Sequence, residues 1–266
     1  MFDSYNRTIN YLRISVTDRC NLRCTYCMPA EGITLMQHSE ILSFEEIMEV
    51  VDAAVSLGVD KVRITGGEPL VRKGIEHLLR MIAQNSAIHD IGMTTNGQLL
   101  AQFAQPLKDA GLQRINVSLD TMDPEKYRQL SRGGEIEKVL KGISAALKAG
   151  LSPVKINCVV AKSSAEPDAL SVAEYGKQNG LQVRFIRQME LEKGEFYIVD
   201  GGSGGDCSTC NRLRLTANGM IKPCLFNDLE YNVREHGAIK ALQLAIGNKP
   251  SCGTINRHGE FYNIGG

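Results

Sequence analysis

Three cysteines fall within eight residues near the start of the chain: Cys20, Cys24 and Cys27, spaced CxxxCxxC. Three thiolates on one short loop can each take one iron of a cubane [4Fe–4S] cluster, which leaves the fourth iron without a protein ligand. An open metal position is where a substrate or cosubstrate binds directly. A structural zinc usually takes four ligands, and His38, the nearest histidine, matches no finger spacing. A zinc site or a chance grouping is the alternative reading of the spacing alone.

A second triad stands far along the chain. Cys207 and Cys210 read CxxC, and Cys224 follows after thirteen residues. Cys252 could complete a four-cysteine zinc ribbon, but ribbons repeat CxxC and the pair Cys224 and Cys252 does not. Arg212 and Arg214 are two apart, so on a strand they share one face. Two guanidiniums on one face form a bidentate clamp for phosphate. Either arginine alone would read as a solvated surface charge.

Between the triads lie turns suited to a ligand. Gly66, Gly67, Glu68 and Pro69 follow a strand-like run, and the glycines let backbone approach a ligand with no Cβ in the way. A plain strand-to-helix turn is the other reading. The runs from Thr94 to Gly97 and from Ser118 to Asp120 end two more strand-like stretches. Their hydroxyls and carboxylate suit a ribose or a second nucleotide. Met189 taken alone is a core filler.

These loops need strands to carry them. Six short stretches, 12–16, 61–65, 90–94, 114–119, 154–160 and 182–186, are rich in β-branched or apolar residues and read as buried strands. Helical patterns alternate with them near 74–84, 98–110, 136–149 and 167–178. Another helix starts at Ser43, an N-cap with Glu46 as its capping-box partner, and stops at Gly58. Gly111 and Gly150 sit at C-terminal stop positions. Strand–helix alternation gives right-handed parallel crossovers. The fold class is therefore α/β: a partial (β/α)6 barrel over 1–200, with its chemistry at the C-terminal strand ends, and a small cysteine-bearing module over 201–266. The GGSGG run at 201–205 reads by composition as a flexible linker.

The 266 residues are 43% hydrophobic and 23% charged, with a formal net charge of zero, ordinary for a soluble globular chain. No global basic stripe exists, so neither nucleic acid nor a membrane is expected as a partner. No apolar run is long enough to span a bilayer, and residues 1–10 carry neither a signal core nor twin arginines, which predicts a cytoplasmic protein. Eight cysteines in that setting speak for metal rather than disulfides.

The run from Arg13 through the CxxxCxxC to Pro29 resembles the radical S-adenosylmethionine (SAM) superfamily. The C-terminal run from Cys210 to Gly219, with Lys222, Pro223, Cys224, Leu225 and Phe226, narrows the resemblance to the GTP 3′,8-cyclase family of molybdenum-cofactor synthesis. The likeness extends from Arg13 to Gly266. It implies a lyase with SAM and two [4Fe–4S] clusters. The first, on Cys20, Cys24 and Cys27, binds the amino and carboxylate groups of SAM through its open iron and cleaves it to a 5′-deoxyadenosyl radical. The second, on Cys207, Cys210 and Cys224, meets the guanine of GTP. The radical takes a hydrogen from the GTP ribose, and the sugar carbon attacks the purine C8.

By the same resemblance Tyr26, Gly67, Ser118 and Met189 belong to the SAM site. Thr94 faces GTP, and Arg13, Arg63 and Lys162 surround its purine and phosphates, with Arg212 and Arg214 on the triphosphate. Gly265 and Gly266 form a tail that reaches the active site. An external electron donor is implied, and a homodimer is compatible. Three departures stand out. The chain is shorter than the family by several dozen residues between Met189 and Cys207, Arg187 replaces a usual acidic residue, and Cys252 is extra. They keep two alternatives in view: a related radical enzyme with another substrate, such as a peptide, and a non-catalytic iron–sulfur or zinc module.

Overall fold

The computed structural model of the protein describes residues 1–257. β1 (Tyr11–Ser15), β2 (Lys61–Thr65), β3 (Asp90–Thr95), β4 (Arg114–Ser118), β5 (Val154–Val160) and β6 (Gln182–Arg187) pair in sequence order, all parallel, each within one residue of its expected bounds. Five expected helices connect or follow them: α1 (Phe44–Ser56), α2 (Ile75–Gln84), α3 (Leu100–Asp109), α5 (Ile136–Lys148) and α6 (Pro167–Gln178). The capping box of α1 forms as predicted. Glu46 N donates to Ser43 Oγ at 3.1 Å, and Ser43 N donates to the Glu46 carboxylate at 2.7 Å. A further helix, α4 (Pro124–Ser131), starts at Asp123, whose carboxylate accepts from Glu125 N and Lys126 N.

The C-terminal segment joins the same sheet. β7 (Arg212–Leu215) pairs parallel with β1, and β8 (Met220–Lys222) and β9 (Tyr231–Asn232) follow antiparallel. The strand order is β6-β5-β4-β3-β2-β1-β7-β8-β9, open at both edges, so the barrel is partial. α7 (Val233–His236) and α8 (Ala238–Gly247) complete the chain's regular structure among the described residues, with α8 against α1.

Period-two alternation sorts the strand residues. Leu12, Ile14, Val62, Ile64, Ile91, Met93, Ile115, Val117, Ile156, Leu213 and Leu215 are no more than 2% exposed and build the core with the helices. Burying each such side chain contributes roughly 1.5–3 kcal/mol. The alternate positions, among them Arg13, Lys61, Arg63, Arg114, Lys155, Arg184, Arg212 and Arg214, line a cavity of about 540 Å³.

The GGSGG run is not a flexible linker. Val199 N donates to Gly204 O at 2.8 Å, Gln182 Nε2 to Gly201 O at 2.8 Å, and Arg212 Nη2 to Ser203 O at 2.9 Å. The run forms a wall of the cavity. Its glycines answer to close approach: a Cβ on Gly205 would lie 1.9 Å from Tyr197 O, and one on Gly201 2.7 Å from Val183 O. Among the described residues no helix is long and apolar enough to cross a membrane.

Candidate active site

β1 leads into the first cysteine loop. Cys27 N and Met28 N donate to Cys24 O at 2.9 and 3.0 Å, which closes the CxxC turn. Leu22 N reaches Cys20 Sγ at 3.4 Å and Asn96 Nδ2 reaches it at 3.7 Å. The end of α4 holds the loop from outside. Thr25 N donates to Leu130 O at 2.9 Å, and Arg132 Nη1 donates to Arg23 O and Met28 O at 3.1 and 2.8 Å.

Burial, reinforced by charge on a neighbouring cysteine, pushes Cys24 and Cys27 up to about 12. A bound cation reverses that, because a coordinating thiol is deprotonated outright. Three half-buried thiols, near enough to affect one another and pinned by backbone bonds, fit a cubane. Among the described residues no three cysteine, histidine or carboxylate side chains converge as ligands of a single ion would. A cubane takes one thiolate per iron and asks for a wider spread.

The turn after β2 lies against this loop. Gly67 N donates to Thr17 O at 2.7 Å and Glu68 N to Arg19 O at 2.8 Å. A Cβ on Gly67 would stand 2.4 Å from Arg19 O, so the contact requires glycine. The Glu68 carboxylate, 1% exposed, accepts from Leu70 N, Thr95 Oγ1 and Asn96 N. Burial outweighs those donors and raises Glu68 to about 7. Asn96 carries the connection on to Cys20 and to Asn21 Oδ1. Tyr26 Oη donates to Asp120 Oδ2 at 2.7 Å, and Val159 N donates to Asp120 Oδ1 at 2.8 Å. Ser118 ends β4 opposite Asn157 of β5. The links that Glu68, Asn96 and Asp120 make to other elements had no sequence signal beyond their place in strand-end turns, and the brace from Arg132, at the C-cap of α4, had none.

Of the expected substrate residues, Arg13, Arg63, Thr94, Arg212 and Arg214 line the cavity. In register, Arg13 lies between Arg63 and Arg214. Met189 lies in the wall with Phe196, Leu225 and Phe226. Lys162 is not among the lining residues. It is exposed, two residues past β5, and its N donates to the Glu166 carboxylate. The β5 lysine that faces inward is Lys155. Lys61, Arg114 and Arg184 join it, residues that the polar half of the strand alternation could have revealed.

Acids are sparse in this lining. Asp90 is engaged by Arg114, and Asp206 accepts from Ser208 and Thr209. Burial, then the Arg214 charge, presses Arg13 well below the ordinary guanidinium value. Burial and Arg212 bring Arg214 to about 10, and burial and Arg184 lower Lys155. Arginine keeps its proton in proteins, so this crowding is a standing cost that an anionic ligand relieves. Asn116 Oδ1 and Arg184 Nε, both in the lining, have no hydrogen-bond partner among the described residues.

The second triad borders the same cavity, just before β7 and just after β8. Two buried cations tie its pieces together, and sequence reading missed both. Arg7, paired with Asp3 at 2.7 Å, donates to Cys207 O, Ser251 O and Pro250 O at 2.7, 2.8 and 2.6 Å. Lys249 donates to Arg212 O at 2.9 Å and to Pro223 O. Burial pushes Cys224 up. At Cys210 burial is outweighed by Lys249 and by the Arg212 N–H, and the thiol is lowered. Cys252 is exposed and outside the lining, with Sγ 3.0 Å from Cys207 Sγ. Gly265 and Gly266 lie outside the described residues.

A partial parallel barrel with a three-cysteine loop beyond its first strand is the arrangement of a radical SAM enzyme, which works with SAM and a [4Fe–4S] cluster. Residues 14–173 match the Radical SAM superfamily, and the chain belongs to it. Its curated relatives narrow this to the GTP 3′,8-cyclase family. The chain is 42% identical to the GTP 3′,8-cyclase of Petrotoga mobilis, over 88% of this chain and 87% of that one. It is 43% identical to that of Thermodesulfovibrio yellowstonii, over the same shares. Among solved structures, Streptococcus suis SuiB bound to precursor peptide SuiA superposes with a TM-score of 0.70 at 18% identity, covering 91% of this chain and 65% of that one. AdoMet-bound anSMEcpe gives 0.55 at 20%, covering 70% and 51%. These two likenesses concern the fold.

Proposed function

We propose that the chain is a GTP 3′,8-cyclase of molybdenum- or tungsten-cofactor synthesis. The carrying observation is the inner face of the sheet, where arginines and lysines crowd with almost no acids to balance them. A triphosphate supplies the missing negative charge, and its oxygens suit paired guanidiniums. Residues 1–200 act as the radical core and 201–266 as the module for a second cluster.

When bound and reduced, SAM on the first cluster supplies the 5′-deoxyadenosyl radical that takes hydrogen from the ribose. The residues of the chain bind and orient. Cys20, Cys24 and Cys27 hold the first cluster, and Asn96 steadies the Cys20 sulfur. Gly67, Ser118 and Tyr26 receive SAM, with Tyr26 fixed by Asp120. Met189 offers an apolar wall to a purine. Arg13, Arg63, Thr94, Arg212 and Arg214 hold the nucleotide together with Lys61, Lys155 and Arg184. Lys155 takes the role first given to Lys162. Cys207, Cys210 and Cys224 hold the second cluster beside the guanine. An external one-electron donor feeds the site in the cytoplasm.

The test is anaerobic reconstitution with iron and sulfide, followed by reductant, SAM and GTP, with all small molecules tracked by mass spectrometry. GTP-dependent 5′-deoxyadenosine together with a cyclised isomer of GTP is the expected result. 5′-Deoxyadenosine formed while GTP survives unchanged would sink the substrate assignment and leave a radical enzyme with another substrate.

A further inference from the structure

Two lysines in the C-terminal segment are almost fully buried. Lys222, 2% exposed, pairs with Glu230 at 2.9 Å. Lys249, 3% exposed, has no carboxylate partner among the described residues. Its ammonium instead donates to two carbonyls, those of Arg212 and Pro223, and lies near enough to the Cys210 and Cys224 thiols to feel their charge. A buried ammonium without a counter-ion is strongly disfavoured. The acids within its reach are those two thiols, which become anionic when they bind metal.

The position is rigid. α8 packs Ala241, Leu242, Ala245 and Ile246 into the core and ends immediately before Asn248, so Lys249 enters from a fixed helix end. Its two carbonyl acceptors belong to the residue before Cys224 and the second residue after Cys210, which links the two cysteine-bearing segments through one side chain.

We propose that Lys249 is a positioning residue of the second cluster, holding the Cys210 and Cys224 segments at their spacing and supplying the buried positive charge that a thiolate-bound cluster requires. This rests on the reading that Cys207, Cys210 and Cys224 carry such a cluster. A nucleotide phosphate is the competing counter-ion, since Lys249 also lines the cavity.

The experiment removes the first cluster with Cys24→Ala in the full chain, so that all remaining iron and all electron paramagnetic resonance belong to the second. Iron content and midpoint potential are then measured without nucleotide for this background, for Lys249→Met and Lys249→Gln, and for Lys249→Arg. The background retains one cluster's worth of iron. Both neutral variants lose it or hold it at a more negative potential, and Lys249→Arg stays near the background. The same neutral substitutions with Cys24 intact still load the first cluster, which shows that the fold survives. Neutral variants with unchanged iron and potential overturn the inference. So does Lys249→Arg failing as badly as Lys249→Met, which would assign the effect to shape and not charge. No cluster in the background itself refutes the second-cluster reading, and the inference falls with it.

Discussion

The two cysteine triads are built by opposite means. The first is local: eight residues, a CxxC turn closed by its own backbone, and an outer brace from exposed Arg132 at the end of α4. The second lies on two segments either side of the β7–β8 hairpin and is held by cations that are buried and come from elsewhere, Arg7 from the N-terminus and Lys249 from the end of α8. A local loop can be recognised from spacing. An assembled site depends on residues two hundred positions away, and its stability is bound up with that of the whole chain.

Four measurements can break or sharpen this contrast. The largest effect is expected for Cys24→Ala, which removes the first cluster and reduces 5′-deoxyadenosine formation to background while the second triad keeps its iron. Loss of iron from both triads together would mean that the two sites are not independent. Next comes Arg7→Ala, which leaves Asp3 buried and uncompensated and severs three carbonyl contacts. Unfolding by denaturant should show a loss of about 3–5 kcal/mol. Arg132→Ala, at an exposed position, should cost no more than about 1.5 kcal/mol. Equal losses would erase the distinction.

Third is the pH response of Glu68. Its folded pKa, about 7, lies above the ordinary carboxyl value of 4.5. Between those values the unfolded chain gives up the proton and the folded chain keeps it, so stability falls as pH rises through that window and levels off above it. Glu68→Gln should remove this slope, worth at most about 3 kcal/mol, in unfolding curves at pH 4.5 and 7.5. An unchanged slope would assign it to other groups. The smallest effect is expected for Cys252→Ser. Cys252 is exposed and outside the cavity lining, so iron content and SAM cleavage should stay at wild-type levels. A lost cluster would make it a ligand.

Six strands and five helices were legible because each strand carries a run of β-branched or apolar residues, each helix a helical pattern, and three of the helices a start or stop signal. The capping box at Ser43 is the plainest case. The inward face was less legible, because stretches such as 61–65 and 154–160 read simply as buried strands, without a division of their two faces. Their alternate positions, Lys61, Arg63, Lys155 and Asn157, in fact face the cavity. Lys162 was taken from the resemblance alone, and strand register instead turns Lys155 to the cavity. The GGSGG run looked like a linker because composition reports flexibility and says nothing of what the backbone must pass. β7 could not be foreseen beside β1, since that pairing joins residues two hundred positions apart.

That pairing also sets a length scale. β1 delivers the Cys20 loop from its C-terminal end, and β7, parallel to it with Tyr11 opposite Arg212, begins just after Cys210. The two cysteine triads therefore lie beyond opposite ends of this strand pair, and the strand itself spans roughly 17 Å for five residues at about 3.3 Å each. The sheet works as a ruler. A ligand that touches both ends must be about as long as the strand, which a nucleoside triphosphate is and a free base is not. Lengthening β1 and β7 together by two residues would keep each cysteine loop intact yet add about 7 Å, and a molecule of the present size would no longer bridge them.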